Sequence, residues 1–192
     1  PDNATVVRRC AAVESLLGRH EQAGARLASA IERLPDQGSA EAVALMNELA
    51  VNLVWRARYE EMHACAERAV AAARKLGDPP LTAAALALLT MAESMTGTAE
   101  RAEAYRREAT ALVDSLSDED LARHLESATR LAGMELYAGW YADGDRHASR
   151  ALALARATGE GGELFLVLVL TLGGLWRMRG KLAEAGELLD GG

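Results

Sequence analysis

Residues Gly18-Arg-His-Glu-Gln-Ala23-Gly-Ala-Arg-Leu27-Ala-Ser-Ala30-Ile-Glu-Arg-Leu-Pro35 carry a phrase that recurs four more times along the chain. Its parts are an anchor at Gly18, small residues five and twelve positions later, and a proline that stops the second helix. The anchors are Gly18, Ala57, Gly97, Gly139 and Gly180, separated by 39, 40, 42 and 41 residues. Five positions after them stand Ala23, Met62, Ala102, Gly144 and Ala185, and twelve positions after them stand Ala30, Ala69, Ala109 and Ala151. Small residues at helical spacing let two helices approach closely, where a large one would wedge them apart. A period of this length predicts stacked helix pairs rather than a globular enzyme.

The helix before each anchor has its own columns. Seven positions before the anchors are Ala11, Ala50, Thr90, Ala132 and Gly173, and one position earlier are Cys10, Leu49, Leu89, Leu131 and Leu172. The leucine column reads as a core row in register with the small columns. The expected fold is therefore all-α, a right-handed superhelical array of antiparallel helix pairs. Helices are expected near 3–17, 20–34, 39–56, 59–76, 80–96, 99–115, 118–138, 142–157, 161–179 and 181–190. Ser39 caps one, Gly77-Asp78-Pro79 closes another, and Ser117-Asp118-Glu119-Asp120 opens the seventh with acids suited to a helix N-terminus. Gly159-Glu160-Gly161-Gly162 closes the eighth. No linker exceeds about six residues, so no internal domain boundary is expected.

This register resembles the tetratricopeptide repeat, with Pro35 matching the proline that ends its second helix. The period exceeds the 34 residues of the standard repeat, and most aromatic anchors of the first helix are missing. The longer, alanine- and leucine-rich version is similar to the helical-repeat region of large LuxR-type, maltose-regulator-like transcriptional activators. That resemblance implies a bacterial cytoplasmic regulator whose ATPase and DNA-binding domains lie outside these residues. Residues 1–192 read as one domain of about five repeats, the last truncated. The start at Pro1 without a methionine and the stop at Gly191-Gly192, partway through a second helix, are those expected of a piece of a longer chain.

Composition agrees with packed helices. Half of the 192 residues are hydrophobic but only 4% are aromatic, so the core must be built from alanine, leucine and valine. The 21 basic and 28 acidic residues give a net charge of −7, and no basic stripe is visible, which argues against direct nucleic-acid contact. No signal peptide is expected, and the apolar run from Leu164 to Leu172 is shorter than the about 20 residues of a membrane span. It reads as a helix buried on most sides, with a short buried strand as the alternative. Cys10 and Cys65 read as reduced thiols.

A search for chemistry finds little. Gly159-Glu-Gly-Gly162 has no lysine and follows a helix, and Gly180-Lys181 lacks the upstream glycine and the downstream Ser or Thr of a phosphate loop. His63 with Glu60 or Glu67 is the best one-face cluster for a metal, and a weak one. His20, His124 and His147 read as isolated exposed or capping residues. No nucleophile has a base beside it. Neither catalysis, a metal nor a cofactor is expected.

The first helix of each pair lines the concave side of such arrays, so the register nominates a groove. Six positions before the anchors are Ala12, Val51, Met91, Gly133 and Gly174; two positions before are Leu16, Trp55, Met95, Tyr137 and Met178. Ten positions before are Arg8, Asn47, Ala87, Thr129 and Leu170. The candidate groove residues are Asn47, Val51, Trp55, Met91, Met95, Thr129, Tyr137, Arg177 and Met178. They would form an apolar trough with polar fixtures at Asn47, Thr129 and Arg177, unless the array winds tightly enough to pack them against itself. The expected function is binding of a protein, a peptide or a small-molecule inducer within a transcriptional regulator. The alternative is a stand-alone interaction scaffold, and terminal repeats could associate with a second copy.

Overall fold

The computed structural model describes residues 3–159 and 162–190, and every regular element within them is an α-helix. Pro1, Gly191, Gly192 and the Glu160-Gly161 part of the expected stop signal lie outside the described residues. In chain order the helices are α1 (Asn3–Leu16), α2 (His20–Arg33), α3 (Ala40–Trp55), α4 (Tyr59–Leu76), α5 (Pro79–Thr96) and α6 (Ala99–Ser115). They continue with α7 (Asp118–Arg123), α8 (Leu125–Ala138), α9 (Tyr141–Thr158), α10 (Glu163–Met178) and α11 (Leu182–Asp190). The repeats are the pairs α1/α2, α3/α4, α5/α6, α8/α9 and α10/α11. First helices pack on first helices in the order α1, α3, α5, α8, α10, which puts them on the inner side of the array.

The alanine columns lie where the register places them. Ala23, Met62, Ala102, Gly144 and Ala185 are all buried, as are Ala30, Ala69, Ala109 and Ala151. Gly144 shows how close the approach is: a Cβ there would stand 2.8 Å from Leu175 Cδ2 and 3.2 Å from Glu135 Cβ. The leucine column is buried at Leu89, Leu131 and Leu172, but Leu49 is half-buried and Cys10 exposed, so the core row fades toward the first repeats.

The anchors owe their identity to backbone conformation rather than to closeness. Gly18, Gly139 and Gly180 have φ of 73°, 89° and 76°, and no atom lies within 4 Å of the Cβ each lacks. They sit at or just beyond the end of the first helix, where the left-handed conformation releases the chain into the turn. Ala57 takes φ 52° without the freedom of glycine. Gly97 is the exception, with φ −119°; there the missing Cβ leaves room for the Glu93 carboxylate, whose Oε1 would be 2.0 Å away.

Two expectations are corrected. The helix expected over 118–138 is broken at His124 (φ −131°, ψ 41°), giving α7 and α8. No proline or glycine marks that break. Tertiary contacts make it: Leu121 is fully buried, α7 packs on α8 and α9, and Arg150 of α9 donates to Leu116 O at 2.7 Å and Asp118 Oδ1 at 2.8 Å. The run from Leu164 to Leu172 is helical as expected, but it is not covered on most sides. Leu166, Val167 and Leu170 are exposed, because α8, α9 and α11 pack along one side of α10 only.

The left-handed turns make a stability prediction. Ala57→Gly should raise the unfolding free energy by about 0.5–1 kcal/mol, and Gly139→Ala should lower it by about 1–2 kcal/mol, in urea denaturation. A loss of stability in Ala57→Gly would overturn this account of the anchor column.

Candidate functional site

The inner face is the stripe that each first helix turns toward the axis of the array, and burial divides it into two parts. Asn47, Met91 and Thr129 are buried, so as the array stands they offer no side chain to a ligand, and Thr129 Oγ1 donates to Leu125 O at 2.8 Å in its own helix. Val51 is half-buried and Arg177 exposed. The column two before the anchors is open along its whole length: Leu16 is 70% exposed, Trp55 59%, Met95 48%, Tyr137 59% and Met178 50%. His20 stacks on Trp55, with ring centroids 6.1 Å apart. The structure thus separates residues that the register grouped, leaving large apolar side chains at the rim and the polar fixtures Asn47 and Thr129 inside.

A group of charges also links the first helices to one another. Arg8 Nη2 donates to Glu48 Oε1 at 3.0 Å and to Glu126 Oε2 at 2.8 Å, and Arg130 Nη2 donates to the same Glu48 oxygen at 2.8 Å. These four side chains come from α1, α3 and α8, and their exposures run from 17% for Arg130 to 31% for Arg8. Burial pushes the Glu48 carboxyl up, but the guanidiniums of Arg130 and Arg8 outweigh it and hold the group below the usual carboxylate range. α5, which packs on both α3 and α8, is buried at every residue from Thr82 to Glu93. Sequence reasoning placed Arg8 beside the groove but missed Glu48, Glu126 and Arg130. The available signal was opposite charge within nine to thirteen positions before the anchor in different repeats, a stripe that is otherwise small or apolar.

A second missed feature is the column four positions before the anchors, which holds carboxylates at Glu14, Glu93 and Glu135, with Leu53 and Trp176 at its other two places. All three are buried and all are partnered. Arg26 donates to both oxygens of Glu14, at 3.1 and 3.0 Å from Nε. His63 Nε2 lies 2.7 Å from Glu93 Oε2, and Thr98 N donates to Glu93 Oε1 at 3.1 Å. His147 Nδ1 lies 2.7 Å from Glu135 Oε2. His147 is therefore a buried partner of a carboxylate, not the isolated exposed or capping residue expected. His63 likewise takes its main partner from α5 rather than from Glu60. These pairs join neighbouring helices, and among the described residues no group of three His, Cys, Asp or Glu could hold a metal ion.

The thiols are separate. Cys65 is buried, its Sγ donates to Met46 O at 3.3 Å, and burial pushes its pKa up to about 11, while Cys10 is exposed. No described helix is long and apolar enough to cross a membrane.

No protein-family model matches the chain, and no curated protein matches it. Solved structures do resemble it. A protein of Podosopora anserina described as a kinesin light chain with nearly identical TPR-like repeats is 18% identical; the match covers 99% of this chain and 94% of that one, with a TM-score of 0.56. BtubC from P. vanneervenii is 20% identical, with 94% of this chain and 74% of that chain covered and a TM-score of 0.54. Likeness at this identity establishes the fold, an array of TPR-like helical repeats.

The charged group has a pH signature. Glu48 is depressed in the folded chain, so its contribution to stability is present above its ordinary value of 4.5 and is lost as pH falls through the folded value. Glu93 is depressed in the same sense by His63 and Thr98, against burial that pushes it up. Glu135 runs the other way, since burial raises it more than His147 lowers it, and its share is lost as pH rises through the raised value. Urea midpoints measured from about pH 6 to pH 3 should fall less steeply for Glu48→Gln than for the unaltered chain. Parallel curves would remove Glu48 from the acid limb.

Proposed function

We propose that the chain is a protein-interaction module that receives an amphipathic helix or peptide along the open rim of its inner face. The observation carrying this reading is the single file of exposed apolar side chains at Leu16, Trp55, Met95, Tyr137 and Met178, one from each repeat. Five large apolar side chains left exposed at the same register position are more than the scattered single residues that a protein surface ordinarily carries. The spacing suits a helix: neighbouring helices pack about 8–10 Å apart, and residues seven apart on a partner helix are separated by about 10.5 Å. Methionine at two of the five positions lets the surface adapt to the partner's side chains. Val51, and after a rearrangement Met91, would supply the floor.

Within this reading, the alanine- and leucine-rich register of about 40 residues supports a sensing segment of a LuxR-type bacterial regulator, working in the cytoplasm. There the partner would be a neighbouring domain, or a small-molecule inducer that favours one arrangement of the array over another. A stand-alone scaffold is the alternative. A phosphate-binding loop upstream and a helix-turn-helix downstream in the parent gene separate the two.

The test is selection from a displayed random peptide library on the immobilised 192-residue chain, followed by measurement of the selected peptides on Trp55→Ala with Met95→Ala. Loss of two anchors at about 1–2 kcal/mol each should weaken binding by roughly thirtyfold to eight hundredfold. The unfolding free energy should change by less than about 1 kcal/mol, since both side chains are exposed. Equal binding by the double variant would reject the rim, and collapse of its fold would make these residues part of the core.

A further inference from the structure

In a repeat array each repeat normally touches only its neighbours, and the small rotation between neighbours sets the curvature. This chain departs from that rule at one place. Among the described residues, the ion pairs between repeats that are not adjacent are Arg8 with Glu126, 118 positions apart, and Arg130 with Glu48, 82 positions apart. The first ties the first repeat to the fourth, and the second ties the second repeat to the fourth. α8 is not a packed neighbour of α1 or α3; it packs on α5, which lies between it and α3. The charges therefore join helices that the apolar core leaves apart.

Several buried polar atoms in this group of charges, and in Asn47 next to Glu48, have no hydrogen-bond partner. Asn47 is fully buried, and neither its Nδ2 nor its Oδ1 has a hydrogen-bond partner. The Nε atoms of Arg8 and Arg130 and the Oε1 of Glu126 are buried without hydrogen bonds as well. An unpaired buried amide is a cost that a closed array bears and an opened one escapes by exposing the group to water or to a ligand. Beside Asn47 in the register are Ala84 and Ala87 of α5, both buried. Such short side chains interlock little, so helices can part over them without breaking a tight packing arrangement.

We propose that Arg8, Glu48, Glu126 and Arg130 form an electrostatic clasp that holds the array curled over α5. Opening the clasp flattens the array and uncovers an inner binding surface that contains Asn47, Ala87 and Thr129. The proposal rests on the reading of the inner face as the binding side. It makes the exposed rim the surface available in the closed array, and the whole stripe the surface available in the open one. Because the four side chains retain partial contact with solvent, salt screens them, and the helix pairs, held by apolar packing, stay intact when the clasp opens.

The experiment follows the shape of the unaltered 192-residue chain in a salt series from about 0.05 to 1 M, over which the screening length falls to about 3 Å. Small-angle scattering should show the chain lengthening while circular dichroism shows unchanged helicity. Amide exchange at Ala84, Ala87 and Leu88 should accelerate by about tenfold or more. Glu48→Arg, which sets three guanidiniums against one carboxylate, should be extended already at low salt. The fourfold reversal Arg8→Glu, Glu48→Arg, Glu126→Arg and Arg130→Glu should restore both the compact shape and the salt response. Unchanged dimensions in the salt series with helicity intact would overturn the clasp, even if Glu48→Arg fails to fold. A reversed variant as extended as Glu48→Arg would overturn it too. No partner enters these measurements, so the clasp can fail while the apolar rim still binds, and peptide binding at the rim can fail while the clasp stands.

Discussion

Every repeat depends on two helices lying close enough for alanine to fill the space between them. Ala23, Ala102, Ala69, Ala109 and Ala151 have almost no exposed surface, and at Gly144 even a methyl group would meet Leu175. Close approach limits how much apolar area each repeat can bury, since a methyl group contributes only about 0.8 kcal/mol. Stability must then accumulate by stacking, and α5, with helices on four sides, is where that accumulation is densest.

A thin apolar interior also explains why carboxylates are found inside it. With few large side chains available to fill the wedge beside each turn, Glu14, Glu93 and Glu135 are buried and take partners from a neighbouring helix. Losing one partner would leave a buried carboxylate uncompensated, a far larger cost than the pair's own net contribution. Gly97 belongs to the same arrangement, because the space of its absent side chain is occupied by the Glu93 carboxylate.

The two parts of the inner face follow from how far these charges extend. Toward the C-terminal ends of the first helices, the column from Leu16 to Met178 stays exposed. Further toward their N-terminal ends, Arg8, Glu48, Glu126 and Arg130 join α1, α3 and α8. The exposed apolar column and the charged group lie on the same helices, about two to three turns apart.

Local order was legible in the sequence. The period, the helix pairs, the buried alanine columns and the caps at Ser39 and Ser117 all depend on residues within a few turns of one another, and helical spacing encodes them directly. The anchors were visible too, although their reason, a left-handed backbone, appears only in the φ angles. Three things were decided by tertiary structure alone: the break at His124, the partners of Glu93 and Glu135, and the meeting of Arg8 with Glu126. The break exists because Leu121 and Arg150 engage each other's surroundings across separate helices. The contact across 118 residues exists because small rotations between repeats add up until the first and fourth repeats face one another. Such a sum belongs to the whole array, and no single repeat of the sequence records it.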